Sequence, residues 1–209
     1  VAGRIGLHYL DTGAMYRAAC WSALDAGLDL ADADAVAVHV RELDLDVSTD
    51  AQAQRILAGG VDVTAAIREQ RISAAVSTVA TNLEVRAELR RRQREIIAAA
   101  RRDGGIVAEG RDITTVVAPE AQVRILLTAS EQARLERRAR EVHGHADADV
   151  VESMRDVVVR RDADDATVST FHVAADGVVQ IDSSGMGFEE TVEAVLGVCR
   201  TSITGSVPV

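Results

Sequence analysis

The run Ile106-Val107-Ala108, followed at once by Glu109-Gly110-Arg111-Asp112, restricts the fold more than any other stretch. Its apolar start reads as a short buried strand. The strand breaks at Gly110, where a residue without Cβ takes conformations closed to others. Directly after the break the chain presents Glu109, Arg111 and Asp112. An open α/β sheet places its chemistry just past the carboxyl ends of its strands. An adjacent Arg and Asp in that position can hold an anion and read a hydrogen-bond donor.

The rest of the chain alternates strands with helices. Val1 to Gly6 reads as the last turns of a helix closing on Gly6, and Leu7 to Leu10 as a strand. Thr12 is then expected to cap a helix from about Gly13 to Ala26. Asp32 and Asp34 cap a second helix reaching Arg41. Leu43, Leu45 and Val47 alternate with acids. Segments 55–57 and 61–63 flank Ala58-Gly59-Gly60, a hairpin signal. A small β insert is expected here. Helices follow at 73–81 and 84–102. Strands are expected at 123–127 and 178–182, and helices from Ser130, from about 149 to 163, and over 188–201. This order favours a parallel sheet with helices on both faces.

At 209 residues the chain is expected to form a single domain. Aromatic residues are only 2% of the chain, which argues against stacking platforms for single-stranded nucleic acid. The net charge of −10 disfavours polyanion binding over the whole surface. All 23 basic residues are arginine, so no step can use a lysine as a point charge on phosphate. Cys20 and Cys199 form no metal-ligand pattern. His143 and His145 lack a third ligand nearby and are not assigned to a metal. With no apolar run near the roughly 20 residues that cross a bilayer, the expectation is a cytoplasmic protein with no membrane partner.

Arginines gather near strand ends and helix starts: Arg17, Arg86, Arg111 and Arg161, with Arg134 and Arg138 on a later helix. Fewer acids accompany them, namely Glu109, Asp112 and Asp165. Many forks and few acids describe a phosphate cage, because guanidinium geometry matches phosphate oxygens. Asp112 can accept from an amino group, and Asp165 from a ribose hydroxyl. Phosphoryl transfer needs positioning and charge neutralisation above all. Most arginines of helix 84–102 read as a solvated face. Arg86, in its first turn beside Val85 and Leu89, is expected to point inward.

Three motifs now stand in order: Leu10-Asp11-Thr12-Gly13-Ala14-Met15-Tyr16-Arg17, Arg91-Arg92-Gln93-Arg94 and Ala108-Glu109-Gly110-Arg111-Asp112. Together they resemble the bacterial cytidylate (CMP) kinases, from about Leu7 to Arg200. The β insert at 43–63 is similar to that family's enlarged nucleotide-monophosphate lobe. The resemblance implies a P-loop nucleoside-monophosphate-kinase-like α/β fold: a parallel sheet flanked by helices, with a small β insert in the acceptor lobe. It implies a core at 1–38, 103–141 and 150–201, an acceptor insert at 39–102, a lid at 142–149 and a tail at 202–209.

The same resemblance implies transfer of the ATP γ-phosphoryl to CMP or dCMP with Mg²⁺, by a monomer that binds no nucleic acid. Arg17, Arg111 and Arg161 would hold the acceptor phosphate as catalytic residues. Ser77, Arg86 and Asp112 would read the cytosine edge, Asp165 the sugar hydroxyls, and Thr12 would line the acceptor pocket. Glu109 would orient an arginine or a water near Mg²⁺, and no residue is assigned as a direct metal ligand. Arg134 and Arg138 would lie on the ATP side.

Two departures from the family pattern are visible. Family members begin with a strand and a G-x-x-x-x-G-K-[ST] loop, whereas this sequence starts at Val1 and holds no lysine. The expectation is a first strand and P-loop absent from the chain, their segment lying upstream. The alternative is a truncated, catalytically inactive CMP-binding remnant. The second departure is Val168, at a position where the family commonly has arginine. A third reading, in which the Arg-rich helix 84–102 binds nucleic acid or an acidic partner, is disfavoured by the charge and the scarcity of aromatics.

Overall fold

The first strand of the molecule, β1 (His8–Asp11), lies parallel to β5 (Ile106–Glu109). Their register pairs Leu10 with Ala108 and Asp11 with Glu109. The computed structural model describes residues 1–155, 163, 167, 168 and 173–204. The chain divides into two compact units, Ala2–Ile113 and Thr114–Val209, the latter with Val1.

In the first unit a short helix, α1 (Ala2–Ile5), precedes β1. Helix α2 (Thr12–Asp25) follows directly. Its N-cap is Asp11, whose side chain accepts from the Ala14 amide at 2.8 Å. The expectation that Thr12 caps this helix is therefore corrected. A carboxylate one residue earlier reaches the orphan amide, and Thr12 becomes the first helical residue. Small residues Ala18, Ala19 and Ala23 and the larger Met15 form the buried side of α2.

Helix α3 (Ala33–Glu42) is capped by Asp32. The β insert then forms an antiparallel sheet of β2 (Leu45–Val47), β3 (Ile56–Ala58) and β4 (Val61–Asp62). Gly59 and Gly60, with φ of 58° and 78°, make the two-residue turn; paired positive φ values suit the right-handed twist of a hairpin. Leu43, Ile56, Ala58, Val63 and Ile67 pack with Ala18 of α2 into one apolar cluster. Burial of that face is what makes a three-stranded insert stable, since an isolated hairpin is marginal in water.

Helices α4 (Gln70–Ala80) and α5 (Leu83–Arg101) complete the unit before β5. Asn82 caps α5 by accepting from the Glu84 and Val85 amides. The buried face of α5 is Val85, Arg86, Leu89, Gln93, Ile97 and Ala100, a helical spacing that includes two polar residues. Arg92 bonds the carbonyls of Val40, Arg41 and Leu43, the unpaired end of α3. The solvated reading of this helix holds for Arg91, paired with Glu88 and Glu95, and fails for Arg90 and Arg92.

In the second unit β6 (Ile125–Thr128) lies parallel to β7 (Val179–Asp182). Helix α6 (Glu131–His143) starts on a Ser130 cap. Arg137 of α6 bonds the Ser183 hydroxyl at 3.0 Å and the Met186 carbonyl at 3.2 Å, fastening the helix to the end of β7. Helix α7 (Ala148–Ser153) packs Val151 against Leu135 and Ala139. The segment expected as a lid, 142–149, thus begins in the last turn of α6 and ends in the first turn of α7. The last helix is α8 (Phe188–Thr204). The molecule has a mixed α/β fold with parallel strand pairs and flanking helices.

Candidate active site

Two parallel strands in register bring two carboxylates side by side. Asp11 and Glu109 are the last paired residues of β1 and β5, so both stand at the carboxyl edge. Asp11 uses Oδ1 to cap α2 and Oδ2 to hold Arg17 Nη2 at 2.8 Å. Both members of that ion pair are 17% exposed. A Cβ at Gly13 would stand 3.1 Å from both Arg17 Nη1 and Asp11 Oδ1, so bare backbone there lets Arg17 fold back over the helix start.

Thr12 is buried and donates its hydroxyl to the Glu109 carbonyl at 2.7 Å. This bond ties the first turn of α2 to the end of β5. Gly110 packs directly on it. A Cβ added at Gly110 would lie 2.2 Å from Thr12 Oγ1 and 3.1 Å from the Ile113 side chain. Gly110 does not have a positive φ. The conformational reason expected for this glycine is therefore replaced by a steric one: the position has no room for a side chain.

Glu109 keeps an exposed surface, yet protein crowds it from the sheet side. That desolvation raises its carboxyl above the ordinary range; the Tyr9 hydroxyl opposes the shift, and the negative charge of Asp11 adds to it. Tyr9 is raised in turn, by burial first and by Glu109 second.

A second cluster surrounds Asp112. Arg86 Nη2 meets Asp112 Oδ2 at 2.8 Å, and both side chains are 6% exposed. Arg90 meets the same oxygen through Nε at 2.9 Å and Nη2 at 2.8 Å. Arg86 also donates from Nη1 to the Ala80 carbonyl at the end of α4, and its guanidinium lies 5.8 Å over the Tyr16 ring, within cation–π range. Burial, ahead of every charge nearby, raises the Tyr16 hydroxyl pKa, so Tyr16 is a neutral phenol. Gln93 faces that hydroxyl, and neither side chain closes a direct hydrogen bond with a described residue.

Of the residues expected to form a site, Thr12, Arg17 and Glu109 come together at the first cluster, and Arg86 and Asp112 at the second. The segment 109–112 links the two, and so does α2, through the neighbours Tyr16 and Arg17. Arg111 is half-buried within that segment. Ser77 lies on α4 one turn before Ala80, half-buried, with its carbonyl bonded by Thr81. Arg134 and Arg138 stand on α6 in the other unit, where Arg138 pairs with Glu141 at 2.8 Å. Arg161 and Asp165 lie outside the described residues. Among the described residues no group of three His, Cys, Asp or Glu side chains gathers to hold a metal, and no helix is long and apolar enough to cross a membrane.

Sequence reasoning missed Asp11, Tyr16, Arg90 and Gln93. Spacing could have found two of them. Arg90 and Gln93 lie four and seven residues past Arg86 and so share its helix face. In charge, the second cluster sums two guanidiniums and one carboxylate, an excess of positive charge that favours a ligand rich in acceptors.

The cytidylate kinase family profile matches residues 1–201. A cytidylate kinase of Nocardia farcinica is 44% identical over 209 residues, covering 99% of this chain and 88% of its own. One from Cutibacterium acnes is 44% identical over 198 residues, 94% of this chain and 86% of its own. One from Streptomyces avermitilis is 41% identical over 197 residues, 94% of this chain and 83% of its own.

Proposed function

Because this chain belongs to the cytidylate kinase family, we propose that residues 9–17, 77–93 and 109–112 form the acceptor side of an enzyme that moves the γ-phosphoryl of ATP to CMP or dCMP. The observation that carries this reading is Asp112, buried and ionically held by Arg86 and Arg90 through Oδ2 alone. An acceptor-only carboxylate oxygen suits the exocyclic amine of cytosine, and uracil offers no donor there. Arg86 and Ser77 take the neighbouring acceptor atoms of the base edge.

Arg17 and Arg111 take the acceptor phosphate, with Arg161, while Asp165 takes the sugar hydroxyls. Thr12 lines the pocket with its backbone, since its hydroxyl is committed to Glu109. Arginine forks do the acceptor-phosphate binding, and Arg134 and Arg138 are the ATP-side candidates.

Asp11 and Glu109 are a fitting donor set for Mg²⁺. Burial first, and the negative charge of Asp11 beside it, raise the Glu109 carboxyl, and a divalent cation would relieve that repulsion. Mg²⁺ binds through one or two carboxylates together with substrate phosphates, and Asp11 keeps lone pairs beyond its two bonds. When bound, the ion supplies charge neutralisation between donor and acceptor phosphates. The protein's own residues orient the acceptor: Arg17 is fixed by Asp11, and Asp112 by its two arginines. Such positioning is most of what phosphoryl transfer asks of a protein.

Calorimetric titration with CMP and UMP tests the reading without any donor nucleotide. CMP should bind at least about tenfold more tightly, the worth of one charge-assisted hydrogen bond. Equal affinities would sink it. A turnover assay with ATP and Mg²⁺ then separates a kinase, which forms CDP, from a protein that binds CMP without turnover.

A further inference from the structure

Arg86 and Arg90 sit one turn apart on the same inward face of α5. Like charges at this spacing repel on a helix, and burial strengthens the repulsion. Asp112 is the group that offsets it. Its three contacts with the two guanidiniums all fall on one oxygen: Arg86 Nη2 at 2.8 Å, Arg90 Nη2 at 2.8 Å and Arg90 Nε at 2.9 Å, each to Oδ2. Oδ1 accepts from no described side chain, and it is not among the buried polar atoms lacking a partner. It therefore lies in the 6% of the Asp112 side chain that remains accessible.

Arg86 alone would not enforce this asymmetry. It reaches Asp112 through a single nitrogen and spends another on the Ala80 carbonyl. A single contact leaves the carboxylate free to rock about its Cβ–Cγ bond. Arg90 adds an Nε hydrogen bond and a close Nη2 contact to the same oxygen, which holds Oδ2 from a second direction and restricts that rocking.

We propose that Arg90 is a positioning residue for base recognition: it clamps Oδ2 of Asp112 so that Oδ1 is presented to the amino group of an aminopyrimidine nucleotide. The inference rests on the reading of Asp112 as the base acceptor. Arg90 acts through Asp112, so its contribution is confined to ligands that donate to Oδ1. A keto pyrimidine gains nothing from the clamp.

The experiment compares CMP and UMP affinities of the wild-type protein with those of Arg90→Met and Arg90→Lys, UMP being read by competition against CMP. Arg90→Met should weaken CMP about tenfold, the worth of a well-placed hydrogen bond to a charged group, and leave UMP within about twofold. Arg90→Lys should recover part of the loss, because an ammonium restores charge without the fork. Equal weakening of both nucleotides, or an unchanged CMP-to-UMP ratio in Arg90→Met, would show that Arg90 only supports the fold and would overturn the proposal. Asp112→Asn separates the two levels. If it abolishes the CMP preference while Arg90→Met keeps it, the clamp alone is wrong. If Asp112→Asn keeps the preference, the base-reading role of Asp112 is wrong as well.

Discussion

Helices α5 and α6 look alike in sequence and do different work. Both are rich in Arg and Glu, and both carry Arg pairs and triplets at helical spacing. On α6, Arg138 pairs with Glu141 and Arg140 with Glu136 along the helix itself, while Arg137 reaches Ser183 and the Met186 carbonyl and Glu131 takes Arg155. Among the described residues no carboxylate from another element meets an α6 arginine. On α5 the arginines divide. Arg91 pairs locally, while Arg86 and Arg90 turn inward to a carboxylate from the loop after β5. Arg92 does both, pairing with Glu88 and reaching the end of α3. Carbonyls delivered by another element fasten an arginine stripe, as at Arg92 and Arg137; a delivered carboxylate, as at Arg86 and Arg90, makes it part of a site. The stripe alone does not reveal this.

The sharpest way to break the comparison is to remove the delivered anion. Asp112→Ala leaves the buried Arg86 and the partly buried Arg90 without their partner, and loss of one side of a buried pair costs about 3–5 kcal/mol. Urea unfolding should show that loss. The counterpart on α6, Arg138→Ala, removes a partly exposed pair and should change stability by less than about 1 kcal/mol. Similar losses in the two variants would erase the distinction. Next in size is Arg92→Ala, which uncovers the last carbonyls of α3 and should cost about 1–3 kcal/mol. A loss no greater than that of Arg91→Ala would place Arg92 back on the solvated face.

The smallest effect is a pH dependence carried by Glu88. The hydrogen bond from Arg91, then that from Arg92, against a desolvation cost, holds its carboxyl down at about 2 from an ordinary 4.5. A depressed carboxyl stabilises the fold above its unfolded pKa, and that stability is lost as pH falls towards the folded value. The wild type should therefore lose stability between pH of about 4.5 and about 2 more steeply than Glu88→Gln. Parallel curves would show that the Glu88 pairs add nothing.

The alternation of strands and helices, the β insert and the inward turn of Arg86 were legible in the sequence because each leaves a periodic or turn signal. So was the cluster at 109–112, since charge beside a buried strand is conspicuous. The partners were not. Nothing local tells that Asp11 rather than Thr12 caps α2, because both residue types cap well. Arg90 was grouped with solvated residues because Asp112 is 22 positions away in sequence. Gly110 was legible as necessary and misread as to cause: its constraint comes from Thr12, across the β1–β5 pair.

That contact has a consequence for anyone who alters the protein. Thr12 and Gly110 occupy one volume: the hydroxyl fills the space a side chain at 110 would take, and it closes the bond to Glu109. The two positions are therefore coupled, although they stand 98 positions apart in sequence. A library that varies either one alone will sample broken versions of both, whereas a library that varies them together can test whether a smaller residue at 12 admits a larger one at 110.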